Sequence, residues 1–101
     1  MTLPKQIDCI EIVKYGGPEN LIMTKRDTPL INKNELLIKV EAAGVNRPDI
    51  MQRQGLYPPP PGASDIPGLE VAGEVVAINS NKSKFKTGDK VCALVSGGGY
   101  S

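Results

Sequence analysis

The chain has 101 residues, which suffices for one domain and not for two. A hydrophobic fraction of 40%, a charged fraction of 23% and a net charge of +1, with no block of like charge, exclude a disordered chain and argue against nucleic acid or an anionic membrane as the main partner. There is no histidine, so imidazole acid–base chemistry, Ser-His triads and His-ligated metals are all excluded.

Ile7 to Val13 (IDCIEIV) is a β-branched run stopped by Tyr15-Gly16-Gly17-Pro18, which reads as a strand ending in a turn. Glu19 to Arg26 is a second strand candidate. Thr28-Pro29 and Asn32 to Glu35 mark a loop. Leu36, Ile38, Val40 and Ala42 then alternate with Lys39 and Glu41 between them, the clearest strand pattern in the chain. Beyond it the character changes. Asn46 suits a helix cap, Pro48 a first turn, and Gly55 a left-handed stop, so Arg47 to Gln54 is predicted as a helix of about two turns. Asp49 then complements the helix dipole.

Tyr57 to Gly62 (YPPPPG) cannot join a ladder, because proline lacks the donor, and is expected as a stiff surface segment. Val71 to Ile78 is predicted as a strand, with Gly73 allowing a bulge or a close backbone approach. Polar turns follow, then a last strand from Lys90 to Val95. Gly97 to Gly99 is expected to be a flexible or turning end. It is no dinucleotide loop, since no strand–GxGxxG–helix unit surrounds it. Cys9 and Cys92 form no CxxC pair and are expected as reduced, largely buried residues. No apolar run approaches the ~20 residues of a membrane span, no signal peptide is evident, and the cytoplasm is the expected location.

Five or so short strands and one short helix predict a mainly β fold, a partly open barrel or sandwich. The stretch from Ala43 to Gly73 combines the helix, the proline run and a Gly-x-Glu-x-x-Gly segment, and reads as the floor of a binding cleft. Within it Tyr57 is held at a loop edge where its ring or hydroxyl could contact a ligand, or pack against the barrel mouth. Asn46 could cap the helix or face a ligand. Glu70, entering a strand, reads as a hydrogen-bonded structural carboxylate, since no second titratable group is fixed beside it. These residues make no self-sufficient catalytic set.

GVNRPDIMQRQGLYPPPPGASDIPGLEVAGEVV, followed by KTGDKV, closely resembles the zinc-independent NADPH:quinone oxidoreductases of the medium-chain dehydrogenase/reductase superfamily, nearest their p53-inducible branch. The likeness runs from YGGPENL to GGGYS. Zinc-dependent relatives carry cysteine where this chain has Asn46 and histidine where it has Leu69, so no metal is expected. The resemblance implies a GroES-like, partly open β-barrel with one short helix over residues 1–101, and a cofactor-binding Rossmann domain that is not in this chain. It implies hydride transfer from NADPH to a quinone or enone at a cleft between the two domains, full-length members being homodimers. Asn46 and Tyr57 are the catalytic candidates, and Asn46, Met51, Gln52 and Tyr57 the cofactor-binding ones, although some relatives have tyrosine where this chain has Met51. The 101 residues alone are expected to bind little NADPH and to be inactive. The alternative is a free-standing GroES-like binding module without catalysis; a co-chaperonin subunit is disfavoured by the proline-rich loop.

Overall fold

The computed structural model describes residues 2–101. Strands β1 (Gln6–Ile12) and β2 (Leu21–Asp27) form an antiparallel hairpin. Strands β3 (Glu35–Ala43), β4 (Glu70–Asn79) and β5 (Lys90–Leu94) form a second antiparallel sheet in that order. The one α-helix, α1 (Arg47–Arg53), lies between β3 and β4 in the chain. This is the mainly β architecture expected, with the two sheets left unclosed.

The predicted strands are all present, with shifted ends. Pro18 starts a single 3-10 turn, Pro18–Asn20, which delays β2 to Leu21. The even alternation expected along β3 is broken by register shifts at Leu37/Ile38 and Val40/Ala42. Gly73 faces the second irregularity, and a Cβ there would lie 2.0 Å from the Lys39 carbonyl oxygen, so only glycine fits the close approach.

The core is small: Cys9, Ile66, Val71 and Val75, with Pro67 also fully enclosed. Cys92 is exposed, contrary to expectation, because it sits on β5 at the edge of its sheet and alternates outward with Leu94. Both cysteines are free thiols. The accessible surface is 7003 Å², whereas a self-contained monomer of 10.8 kDa exposes about 5,500 Å². A molecule measuring 42 × 23 × 23 Å has surface to spare for a partner.

The hairpin is tied by a main-chain bond to the segment that follows β5. Lys5 and Val13 bond across to the β2 side, so the intervening even positions of β1 face the other way. There Ile10 N–H donates to the Tyr100 carbonyl at 2.9 Å. A cleft of about 230 Å³ opens beside this bond, between β1 and β3. No helix among the described residues is long and apolar enough to cross a membrane.

Candidate functional site

The site is built around the two ends of α1. At its start Asn46 is the cap, in extended conformation, and Pro48 fills the first turn without leaving an unsatisfied N–H. Asp49 Oδ2 accepts from the Asn46 main-chain N–H at 2.9 Å, and the Asp49 N–H bonds the Asn46 carbonyl at 3.0 Å. At its end Gly55 takes φ +84°, Leu56 N–H bonds the Met51 carbonyl at 2.8 Å, and Gly55 N–H bonds the Gln52 carbonyl at 3.0 Å. This pair of bonds is the Schellman stop that the glycine predicted. A helix this short is marginal alone, so its neighbours must hold it.

They do so through Asp49, which the sequence marked only as a dipole partner. It is 6% exposed. Its Oδ1 accepts from Gly68 N–H at 3.2 Å, and its Oδ2 also accepts from the Tyr100 hydroxyl at 2.8 Å. One carboxylate thus joins α1, the turn before β4 and the segment after β5. Burial, together with the hydrogen bond and charge of Asp49, pushes the Tyr100 phenol up to about 12. The glycine triplet is part of the same assembly rather than a loose end. Gly98 N–H, Gly99 N–H and Tyr100 N–H bond the carbonyls of Ile66, Gly68 and Pro67 at 2.7, 2.9 and 3.0 Å. A Cβ on Gly68, at φ +104°, would meet Tyr100 N at 2.7 Å. A Cβ on Gly97 or Gly99 would lie 2.6 or 2.8 Å from the main chain of Ser64 or Gly68, whereas Gly98 is favoured by its φ of +84°.

The candidate residues are placed as follows. Asn46 is exposed, and its Nδ2 donates to Glu70 Oε1 at 3.0 Å. Tyr57 follows the helix stop and is half-buried, with no hydrogen bond from its hydroxyl among the described residues. Met51 is half-buried on α1. Gln52 differs from the other three: it is 5% exposed, and its Nε2 donates to the Asp65 carbonyl at 3.0 Å. Its amide is committed to holding the loop before β4. Asp65 is in turn clamped by Arg26, whose Nη1 and Nη2 reach Oδ1 and Oδ2 at 2.7 and 3.1 Å. That contact holds the Asp65 carboxyl below the usual carboxylate range. Exposed apolar side chains flank the site, Val45 at 77% and Leu56 at 67% exposure. Asn46 stands at the start of α1 and Tyr57 beyond its end.

Asn46 and Leu69 offer neither thiolate nor imidazole, and no three Cys, Asp or Glu side chains gather to hold a metal among the described residues. Asn46 brings an amide and Tyr57 a phenol, with the exposed apolar side chains Val45 and Leu56 beside them in the chain.

Residues 32–100 match the family model of the alcohol dehydrogenase GroES-like domain. The chain belongs to this family. The GroES-like domain is 38% identical over 99 residues to a quinone oxidoreductase of Sus scrofa, covering 96% of this chain and 30% of that protein. A probable oxidoreductase from Mycobacterium abscessus superposes with a TM-score of 0.83 at 35% identity, over 96% of this chain and 31% of the other. A mycobacterial protein solved in complex with NADPH superposes with a TM-score of 0.75 at 33% identity, over 88% of this chain and 28% of the other. The chain thus spans about three-tenths of the length of the relatives it matches.

Proposed function

We propose that this GroES-like domain is the substrate-side lobe of a zinc-independent, NADPH-dependent oxidoreductase that reduces quinones or similar conjugated carbonyls. The observation that carries the reading is the likeness to a quinone oxidoreductase over 96% of the chain. Exposed Val45 and Leu56, before and after α1, support it, since exposed apolar side chains are suited to cover by a second domain.

The domain's share of the chemistry is positioning and exclusion of water. When bound, the dihydronicotinamide supplies the two-electron reductant. Asn46 offers hydrogen bonds at the helix start, Tyr57 a ring and a phenol at the helix end, and Met51 a deformable apolar contact between them. Gln52 acts indirectly, by holding the Asp65 loop against α1. Quinone reduction needs no strong protein base, and protons can come from water. Because Asn46 and Leu69 stand where a zinc site would need soft ligands, the carbonyl is not activated by zinc here.

The test joins residues 1–101 in frame to the cofactor-binding part of the pig relative and measures NADPH oxidation with quinones and enones. Turnover with a quinone is expected, and Asn46→Ala and Tyr57→Ala should each lower kcat/KM about tenfold or more, the size of one lost orienting contact. Unchanged kcat/KM in both variants would remove these residues from the site. The 101 residues alone should show no turnover and negligible NADPH affinity.

A further inference from the structure

β3 begins and β4 ends side by side, with Glu35 opposite Asn79, and two loops meet at this end of the sheet. Asn79 Nδ2 donates to the Ile31 carbonyl at 3.2 Å, and Asn34 N–H donates to the Asn79 carbonyl at 2.6 Å. Ten residues of β4, at about 3.3 Å each, put this end roughly 30 Å from Glu70 and its partner Asn46. It therefore lies outside the candidate site on α1.

The net charge of +1 is not spread evenly over the chain. Residues 81–88 are all exposed, and they hold Lys82, Lys84 and Lys86 with no carboxylate among them. None of these lysines forms an ion pair among the described residues, and neither does Lys33 on the neighbouring loop. Asp89 and Glu35 are the carboxylates of the two loops, and each is turned to the main chain. Asp89 Oδ2 accepts from Lys86 N–H at 2.8 Å, and Glu35 Oε1 accepts from Asn32 N–H at 2.6 Å. Four lysines against these two carboxylates leave residues 30–35 and 80–89 at +2. Two apolar side chains stand among the lysines. Leu30 is 94% exposed and Phe85 is 48% exposed. Phe85 shares a groove of about 280 Å³ with Leu36, Ile78, Lys82 and Lys84. The sheet presents the longer loop: Val75 N–H donates to the Asp89 carbonyl at 2.9 Å, and Gly88 N–H donates to the Val75 carbonyl at 2.8 Å.

We propose that this end of the sheet docks on an anionic lipid bilayer, with Lys33, Lys82, Lys84 and Lys86 against the headgroups and Leu30 and Phe85 in the interface. Charge complementarity supplies the attraction, at about fivefold in partitioning for each lysine near an anionic surface. The apolar pair selects the bilayer. A nucleic acid offers phosphates without an apolar layer and would leave Leu30 in water, whereas the headgroup and acyl boundary offers both at once. With few charges and two apolar side chains, the contact is weak and reversible. It does not depend on the oxidoreductase reading.

The test is co-sedimentation of the 101-residue chain with phosphatidylcholine vesicles, with and without about one-third phosphatidylserine. Binding is expected only with phosphatidylserine, and it should fall as salt is raised because the charges are screened. Lys82→Gln, Lys84→Gln and Lys86→Gln combined should lower partitioning on the order of 100-fold, and the three arginine substitutions should keep it. The urea midpoint of the glutamine variant should match wild type, since the three side chains are exposed and unpaired. Leu30→Ser should lower partitioning about tenfold and leave the salt dependence in place. No binding to the phosphatidylserine vesicles, or equal binding by the glutamine variant, overturns the docking surface. Wild-type binding by Leu30→Ser, or binding to duplex DNA as tight as to the vesicles at the same salt, overturns the assignment to a bilayer.

Discussion

Helix α1 and the β1–β2 hairpin are both tied to the segments that flank the three-stranded sheet, by contrasting means. The helix is held by a buried carboxylate with three donors and by backbones close enough that only glycine fits between them. The hairpin contributes one buried side chain, Cys9, to the core. Its other ties are at the rim: the Ile10–Tyr100 main-chain bond, the paired bonds between Gly16 and Arg53, and the Arg26 clamp on Asp65. The contrast matters because the candidate site lies on α1 and not on the hairpin. Buried polar ties lock geometry, whereas solvated ones mostly guide it.

The comparison breaks most sharply at Asp49. Asp49→Ala strands the Asn46 N–H, the Gly68 N–H and the Tyr100 hydroxyl, and should cost about 3–5 kcal/mol, read as a lower urea midpoint. A loss below about 1 kcal/mol would mean that the carboxylate is not what holds the helix. Gly68→Ala comes next. A left-handed residue whose Cβ meets backbone at 2.7 Å should cost about 2–4 kcal/mol.

Arg26→Ala on the hairpin should cost only about 1 kcal/mol, because side-chain exposure of 35% for Arg26 and 73% for Asp65 leaves the pair screened by solvent. Its pH signature is distinct. Asp65 is held below its ordinary value by Arg26, so its contribution is present above about pH 4 and is lost as pH falls through the lower folded-state value. Urea midpoints should fall with acidification less in Arg26→Ala than in wild type. An identical acid dependence would remove the clamp from the account. The smallest effect is on reactivity. A thiol reagent should modify exposed Cys92 quickly, while Cys9 reacts only as the hairpin opens, because burial hides it and raises its thiol pKa. Equal rates would show the hairpin to be far looser than its register suggests.

What could be read from the sequence follows the range of the interactions. The stop at Gly55, the cap at Asn46 and the bulge opposite Gly73 are local, set by φ preferences and by short spacing, and each is found where the residues point. The role of Asp49 was invisible because its partners Gly68 and Tyr100 lie 19 and 51 positions away. Tyr100 carried no local signal at all. Gly97 to Gly99 looked like a soft end because glycine marks both freedom and close contact, and nothing nearby says which. Cys92 was misplaced for a similar reason: the inward and outward faces of β5 depend on which sheet edge it occupies. Gln52 was a cofactor-binding candidate through the family resemblance alone, and only the fold shows that its Nε2 donates to the Asp65 carbonyl.

The cleft beside the Ile10–Tyr100 bond has a consequence for handling the protein. β1 pairs on one side only, and so does β3, so each leaves a rim of main-chain donors and acceptors with no ladder partner. Such rims recruit extended backbone from any source, a second copy included. Asp8 and Glu41 sit at this opening, and their like charges repel an identical rim. At concentrations high enough for copies to meet often, shelf life will depend on keeping this rim covered.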